Sequence, residues 1–139
     1  MLILEAFLYG VISIFLLVLG FYLLDLVIPC DFQKEIFEEK NNAVGALVGG
    51  LFTAMGLIIR SAVIGGGTHQ AESLQEGVFF TLVYSGVGLV LFLGSYMSLT
   101  LLLRRYDLNK HIDEHNAAAG AAVGGFFVAI ALVVSGVIQ

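Results

Sequence analysis

Polar positions in this 139-residue chain fall in short clusters, and between the clusters the sequence is apolar without interruption. Four runs contain no Asp, Glu, Lys or Arg: residues 6–24, 41–59, 77–103 and 116–139, with lengths of 19, 19, 27 and 24. An α-helix rises about 1.5 Å per residue, so roughly 20 residues cross a hydrocarbon layer about 30 Å thick. Each run is therefore predicted to be a membrane-spanning helix. The first extends past Asp25 to Ile28, where Pro29 stops it. The third is longer than a bilayer needs and should tilt or protrude. Strands of a membrane barrel alternate apolar and polar residues; these runs do not, which excludes a barrel.

The polar clusters supply helix starts. Asn41 or Asn42, and Asn116, stand where an N-cap side chain satisfies free backbone amides. Ser73-Leu74-Gln75-Glu76 has capping-box spacing ahead of the third run. The second and fourth runs also open on related text. Asn41-Asn42-Ala43-Val44-Gly45-Ala46-Leu47-Val48-Gly49-Gly50 returns 75 positions later as Asn116-Ala117-Ala118-Ala119-Gly120-Ala121-Ala122-Val123-Gly124-Gly125. Upstream, Asp31-Phe32-Gln33-Lys34-Glu35-Ile36 parallels Asp107-Leu108-Asn109-Lys110-His111-Ile112, and each reads as a short amphipathic helix on the membrane surface. The expectation is an all-α polytopic membrane protein: four transmembrane helices as two parallel two-helix repeats, related by an axis along the membrane normal. Residues 1–64 form the first repeat, residues 65–76 an external hinge around three glycines, and residues 77–139 the second repeat.

Composition agrees with that class and removes others. The chain is 59% hydrophobic and 12% charged, against about 25% charged in soluble domains. A net charge of −5 with six basic residues leaves no surface for nucleic acid. Cys30 is the single cysteine, so no intrachain disulfide forms. The start lacks a basic n-region and a small-residue cleavage pattern, so the first run is expected to remain as a span. Lys34 and Lys40 lie in the first connector and Arg104, Arg105 and Lys110 in the third, while Arg60 alone flanks the other side. That bias places both charged connectors in the cytoplasm and both termini outside.

Small residues are spaced for helix packing. Ala46, Gly50 and Ala54 recur every four positions, as do Ala121, Gly125 and Ala129; Gly45–Gly49 and Gly120–Gly124 make a second stripe on each helix. In lipid no hydrophobic force pairs helices, so close backbone approach through small faces must do it. Gly45, Gly49, Gly50, Gly120, Gly124 and Gly125 are the candidate packing residues, and two stripes per helix imply two close neighbours.

Chemistry-bearing residues are sparse. Asp25 is the acid inside an apolar run, where a mid-bilayer carboxylate costs about 2.5–3.5 kcal/mol, although proximity to Pro29 favours headgroup depth. Arg60 stands against the charge bias, with Glu5, Glu72 and Glu76 as partners at its depth. These two are the candidates for an ion or solute pathway. His111 and His115 sit four apart, which on a helix would put both imidazoles on one face, yet two ligands are too few for a closed zinc site. No metal site, cofactor or catalytic set is expected, and the chain reads as a non-enzyme.

The duplicated pattern of an Asp-led connector, Asn-Ala and a small-residue helix, over Asp31 to Gly50 and Asp107 to Gly125, resembles the YjfL-like family of bacterial inner-membrane proteins, domain-of-unknown-function 350. The resemblance implies an inner-membrane location, four spans and an envelope or membrane-stress setting; it brings no reaction. Two functions stand open. One is a self-associating scaffold in the bilayer that offers residues 29–42 and 104–116 to a cytoplasmic protein. The other is an oligomeric channel or small transporter for an ion or small solute.

Overall fold

The computed structural model describes residues 2–65 and 73–138, and all of the secondary structure in them is helical. Six helices follow in order: α1 (Leu2–Val27), α2 (Phe32–Phe37), α3 (Asn42–Ala62), α4 (Leu74–Leu102), α5 (Leu108–Asp113) and α6 (Ala117–Ile138). Four of them are long and apolar enough to cross a membrane: Ile3–Val27, Asn42–Gly65, Leu74–Leu102 and Ala117–Ile138. At 29 residues α4 reaches about 43 Å, the excess length anticipated for the third run. The helices α2 and α5 are the two short connectors. Most of the hinge predicted at residues 65–76, including Gly66 and Gly67, lies outside the described residues.

Each helix after α1 starts where its sequence provides a cap. Asn41 Oδ1 accepts from the amides of Ala43 (2.9 Å) and Val44 (3.3 Å), and Asn116 Oδ1 accepts from Ala118 (3.1 Å) and Ala119 (3.3 Å). Asp31 and Asp107 cap α2 and α5 in the same way, through the amides of Lys34 and Lys110. The residue before each capping Asn, Lys40 or His115, takes a left-handed backbone with φ of 53° or 63°. That conformation turns the chain sharply from connector into span. Ser73 Oγ accepts from the Glu76 amide, as the capping-box spacing predicted.

The core runs along α3, which is the central helix. Leu47, Leu51, Ala54, Met55 and Ile58 of α3 are fully buried against α1, α4 and α6. Phe92 of α4 and Phe127 of α6 meet with ring centroids 5.6 Å apart behind them. By contrast α1 is peripheral: Ile3, Phe7, Ile14 and Phe15 are exposed, as a lipid-facing helix requires. The hydroxyls inside the spans bond back to their own helices, including Thr53 to Gly49, Thr81 to Gly77 and Ser98 to Gly94. Ser85 Oγ is the buried side-chain atom left without a partner among the described residues.

The closest approach joins α3 to α6, with backbone against backbone. A Cβ at Gly120 would overlap the Ala43 carbonyl, and one at Gly50 would fall on the Gly124 backbone. At Gly124 it would stand 2.8 Å from the Ala46 carbonyl. Ala43 lies opposite Gly120, and Gly50 opposite Gly124, so the two helices run in the same direction and their connectors share one end. The seam does not follow a strict two-fold. Shifting by 75 turns the Gly50–Gly124 contact into Gly125–Gly49, and neither of those glycines has anything within 4 Å of its Cβ position.

Candidate functional site

At the shared end, the connectors α2 and α5 are stitched into a single surface, and Asn41 makes the join. While its Oδ1 caps α3, its Nδ2 donates to Glu35 Oε2 (2.8 Å) and to the Ile112 carbonyl of the other connector (2.8 Å). Its own amide donates to the Glu35 carbonyl (2.7 Å). Asn41 is 2% exposed, so these bonds form away from water, where each is worth more. Phe32, Leu108 and Ile112 are buried beneath the connectors and hold them to the spans. An apolar residue at those positions explains why a short charged segment lies flat rather than extending into solvent.

Matching ties fix each connector to the span before it. Gln33 Nε2 donates to the Tyr22 hydroxyl (3.2 Å), and the Tyr96 hydroxyl donates to Asn109 Oδ1. Tyr96 is therefore buried at a helix–connector joint. Asp25 serves the same elbow. Its Oδ1 accepts from the Phe32 amide (2.7 Å), the first free N–H of α2, and the carboxylate is half-buried. The acid inside the first apolar run is thus a second cap for the connector.

Acidic groups converge here. Glu35 is 7% exposed, with the Asn41 amide as its hydrogen-bond donor. Burial, together with the charges of Glu35, Asp25, Asp113 and Asp31, pushes the Cys30 thiol up to about 12. The thiolate is the reactive form, so Cys30 should resist maleimide near pH 8 in the folded chain. Its labelling rate should rise about tenfold per pH unit up to that value, and unfolding in detergent at pH 8 should release it at once. Fast labelling of the folded protein at pH 8 would contradict this environment.

The histidine pair of the third connector does not share a helical face. Helix α5 ends at Asp113, and the left-handed turn at His115 sends its ring elsewhere. His111 Nδ1 lies 3.3 Å from the Asn116 side-chain amide, in the place that Glu35 holds beside Asn41. The donor atoms of His115, Glu35 and Glu39 gather within 4.8 Å of one another. Local spacing could not show this cluster, because it spans both connectors.

The six glycines divide into two sets. Gly50, Gly120 and Gly124 form the seam between α3 and α6; Gly45, Gly49 and Gly125 have open space where a side chain would stand. Gly45 and Gly49 line an apolar groove of about 560 Å³ with Val18, Phe21, Phe52 and Ile36. Arg60 is exposed on the last turn of α3, beside a second groove with Tyr9, Ser13 and Ile59. No ion pair links it to Glu5 among the described residues, and Glu72 lies outside them. Arg60 stands 18 residues beyond the start of α3, about 27 Å from the connector end where Asp25 sits. The two pathway candidates therefore occupy opposite ends of the bundle.

Comparisons with known proteins place this arrangement. The chain is 27% identical over 126 residues to the UPF0719 transmembrane protein of Aquifex aeolicus, covering 89% of this chain and 44% of that one. It is 23% identical over 129 residues to the UPF0719 transmembrane protein of Mycolicibacterium paratuberculosis, covering 93% of this chain and 80% of that one. It thus spans less than half the length of the Aquifex relative. No solved structure matches the chain. The transmembrane relatives agree with the four long apolar helices, and the model of the Domain of Unknown Function (DUF350) matches residues 1–138. A multi-pass membrane protein matched over that length belongs to the DUF350 family.

Proposed function

We propose that this protein is a self-associating scaffold of the bacterial inner membrane, built from two parallel hairpins, which presents its joined connectors to a cytoplasmic protein. The observation that carries the reading is the open set of glycines. Gly45, Gly49 and Gly125 have nothing within 4 Å of their Cβ positions, as do Gly56 and Gly136 further along the same helices, although Gly50, Gly120 and Gly124 are packed backbone to backbone. Glycine in a helix interior costs about 1 kcal/mol relative to alanine, so a glycine that packs against nothing in its own chain is unexplained by the monomer. In lipid, such faces bring a second helix close.

The connectors supply the other half of the proposal. Lys34, Lys40, Arg104, Arg105 and Lys110 belong to this end, and the positive-inside rule sets it in the cytoplasm with both termini outside. Asn41 makes the two connectors one surface, so a partner would meet residues 29–42 and 104–116 together. Phe37, which is 78% exposed, and Tyr106, which is 64% exposed, give that surface apolar contacts among its charges.

A reconstitution experiment tests the reading. Chains labelled separately with donor and acceptor dyes and mixed in lipid vesicles should show energy transfer that persists when unlabelled lipid dilutes the protein. The same vesicles should show no flux of protons, potassium or small anions above empty ones. Transfer that vanishes on dilution would overturn the scaffold. Flux abolished by Arg60→Ala or Asp25→Asn would establish the channel reading in its place.

A further inference from the structure

We infer that Glu35, Glu39 and His115 form a binding site for a divalent transition-metal ion that clamps the two connectors together. Their donor atoms lie within 4.8 Å of one another, and no direct hydrogen bond or ion pair joins His115 to either carboxylate among the described residues. That spacing is close to what one ion imposes. Ligands about 2.1 Å from a tetrahedral zinc stand roughly 3.4 Å apart, so rotamer adjustments of about an ångström close the site.

A second observation points the same way. Glu35 is 7% exposed, its hydrogen-bond donor is the neutral Asn41 amide, and no cation pairs with it among the described residues. A buried carboxylate ordinarily has a cation or several donors, because desolvating an uncompensated charge costs several kcal/mol. Two cations of the connectors pair with other carboxylates: Lys34 Nζ lies 3.1 Å from Glu39, and Lys110 Nζ lies 3.8 Å from Glu114. A metal ion held by Glu35 would balance that charge from the one side where neutral and acidic ligands already converge.

The donor set selects the class of ion. One imidazole and two carboxylates suit zinc and its first-row neighbours, whereas magnesium and calcium prefer oxygen alone. Three protein ligands leave a fourth position for water or for a group from a partner. Glu39 would exchange its exposed contact with Lys34 for the ion. Because Glu35 and Glu39 flank the end of α2 while His115 follows α5, the ion would bridge the two hairpins near the Asn41 join.

Calorimetric titration of the tag-free, metal-stripped chain in detergent with zinc tests this site. One saturable site per chain is expected in the wild type. Glu35→Gln, which keeps the bond to Asn41, and His115→Asn, which tolerates the left-handed backbone, should each weaken zinc at least tenfold. His111→Ala should bind as the wild type does. Thermal unfolding without metal checks that each variant is folded, and added zinc should raise the midpoint of the wild type but not of His115→Asn. A wild type with no saturable uptake overturns the site. So does binding unchanged by both ligand variants, or binding lost on His111→Ala.

Discussion

Replacing Gly120 with alanine should destabilise the folded chain by about 3 kcal/mol or more, although alanine is the better helix former by about 1 kcal/mol. The added Cβ would overlap the Ala43 carbonyl, which is backbone and has no rotamer to move to. Relief requires the whole of α6 to withdraw from α3, with loss of the contacts that Val123, Phe127 and Ala131 make in the core. Gly50→Ala should behave alike, since its Cβ would land on the Gly124 backbone. The sign reverses at the open positions. Gly45→Ala, Gly49→Ala and Gly125→Ala introduce a Cβ into empty space and should be neutral or stabilising by up to about 1 kcal/mol. Thermal unfolding of the five variants in one detergent measures the contrast. Equal effects at Gly120 and Gly125 would contradict the seam.

Asn41→Ala carries the other large effect, about 3 kcal/mol or more. Three losses combine: the cap on α3, worth about 1 kcal/mol, and a partner each for Glu35 and the Ile112 carbonyl, worth about 1–3 kcal/mol apiece when buried. The matching Asn116→Ala should cost only about 1 kcal/mol, because Asn116 is exposed and does little beyond capping α6. Asn41→Asp separates the contributions. It keeps the acceptor that caps α3 but removes the Nδ2 donor and sets a second carboxylate against Glu35, so it should be at least as damaging as alanine. Stability near wild type for Asn41→Asp would mean that the link between connectors contributes little.

The difference between these two asparagines marks what the sequence could disclose. Spans and caps are local properties: an uncharged run of bilayer length, or an Asn ahead of it, fixes the element without reference to its neighbours. All four spans, both Asn caps and both short connectors could be read in that way. The rotation of each span about its axis could not. Adjacent residues on a helix point about 100° apart, so the stripes Gly45–Gly49 and Ala46–Gly50–Ala54 are equally good packing faces on paper. The packing of α3 against α6 selects between them, and it takes Gly50 on α3 but Gly120 and Gly124 on α6. The burial of Glu35 was hidden for the same reason: a Glu between Lys34 and Ile36 reads as solvated until the second connector covers it. Asp25 was conspicuous as an acid in an apolar run, but its partner, the Phe32 amide, follows from the turn at Pro29 rather than from any motif.

Two sets of glycines with two separate duties is the claim on which the rest depends, and energy transfer between labelled chains in lipid vesicles tests it most directly. Gly45→Leu combined with Gly49→Leu should abolish the transfer while the thermal midpoint stays within a few degrees of wild type, because both side chains enter the open groove beside Phe21 and Phe52. Transfer that survives in that folded double variant, undiminished, would contradict it.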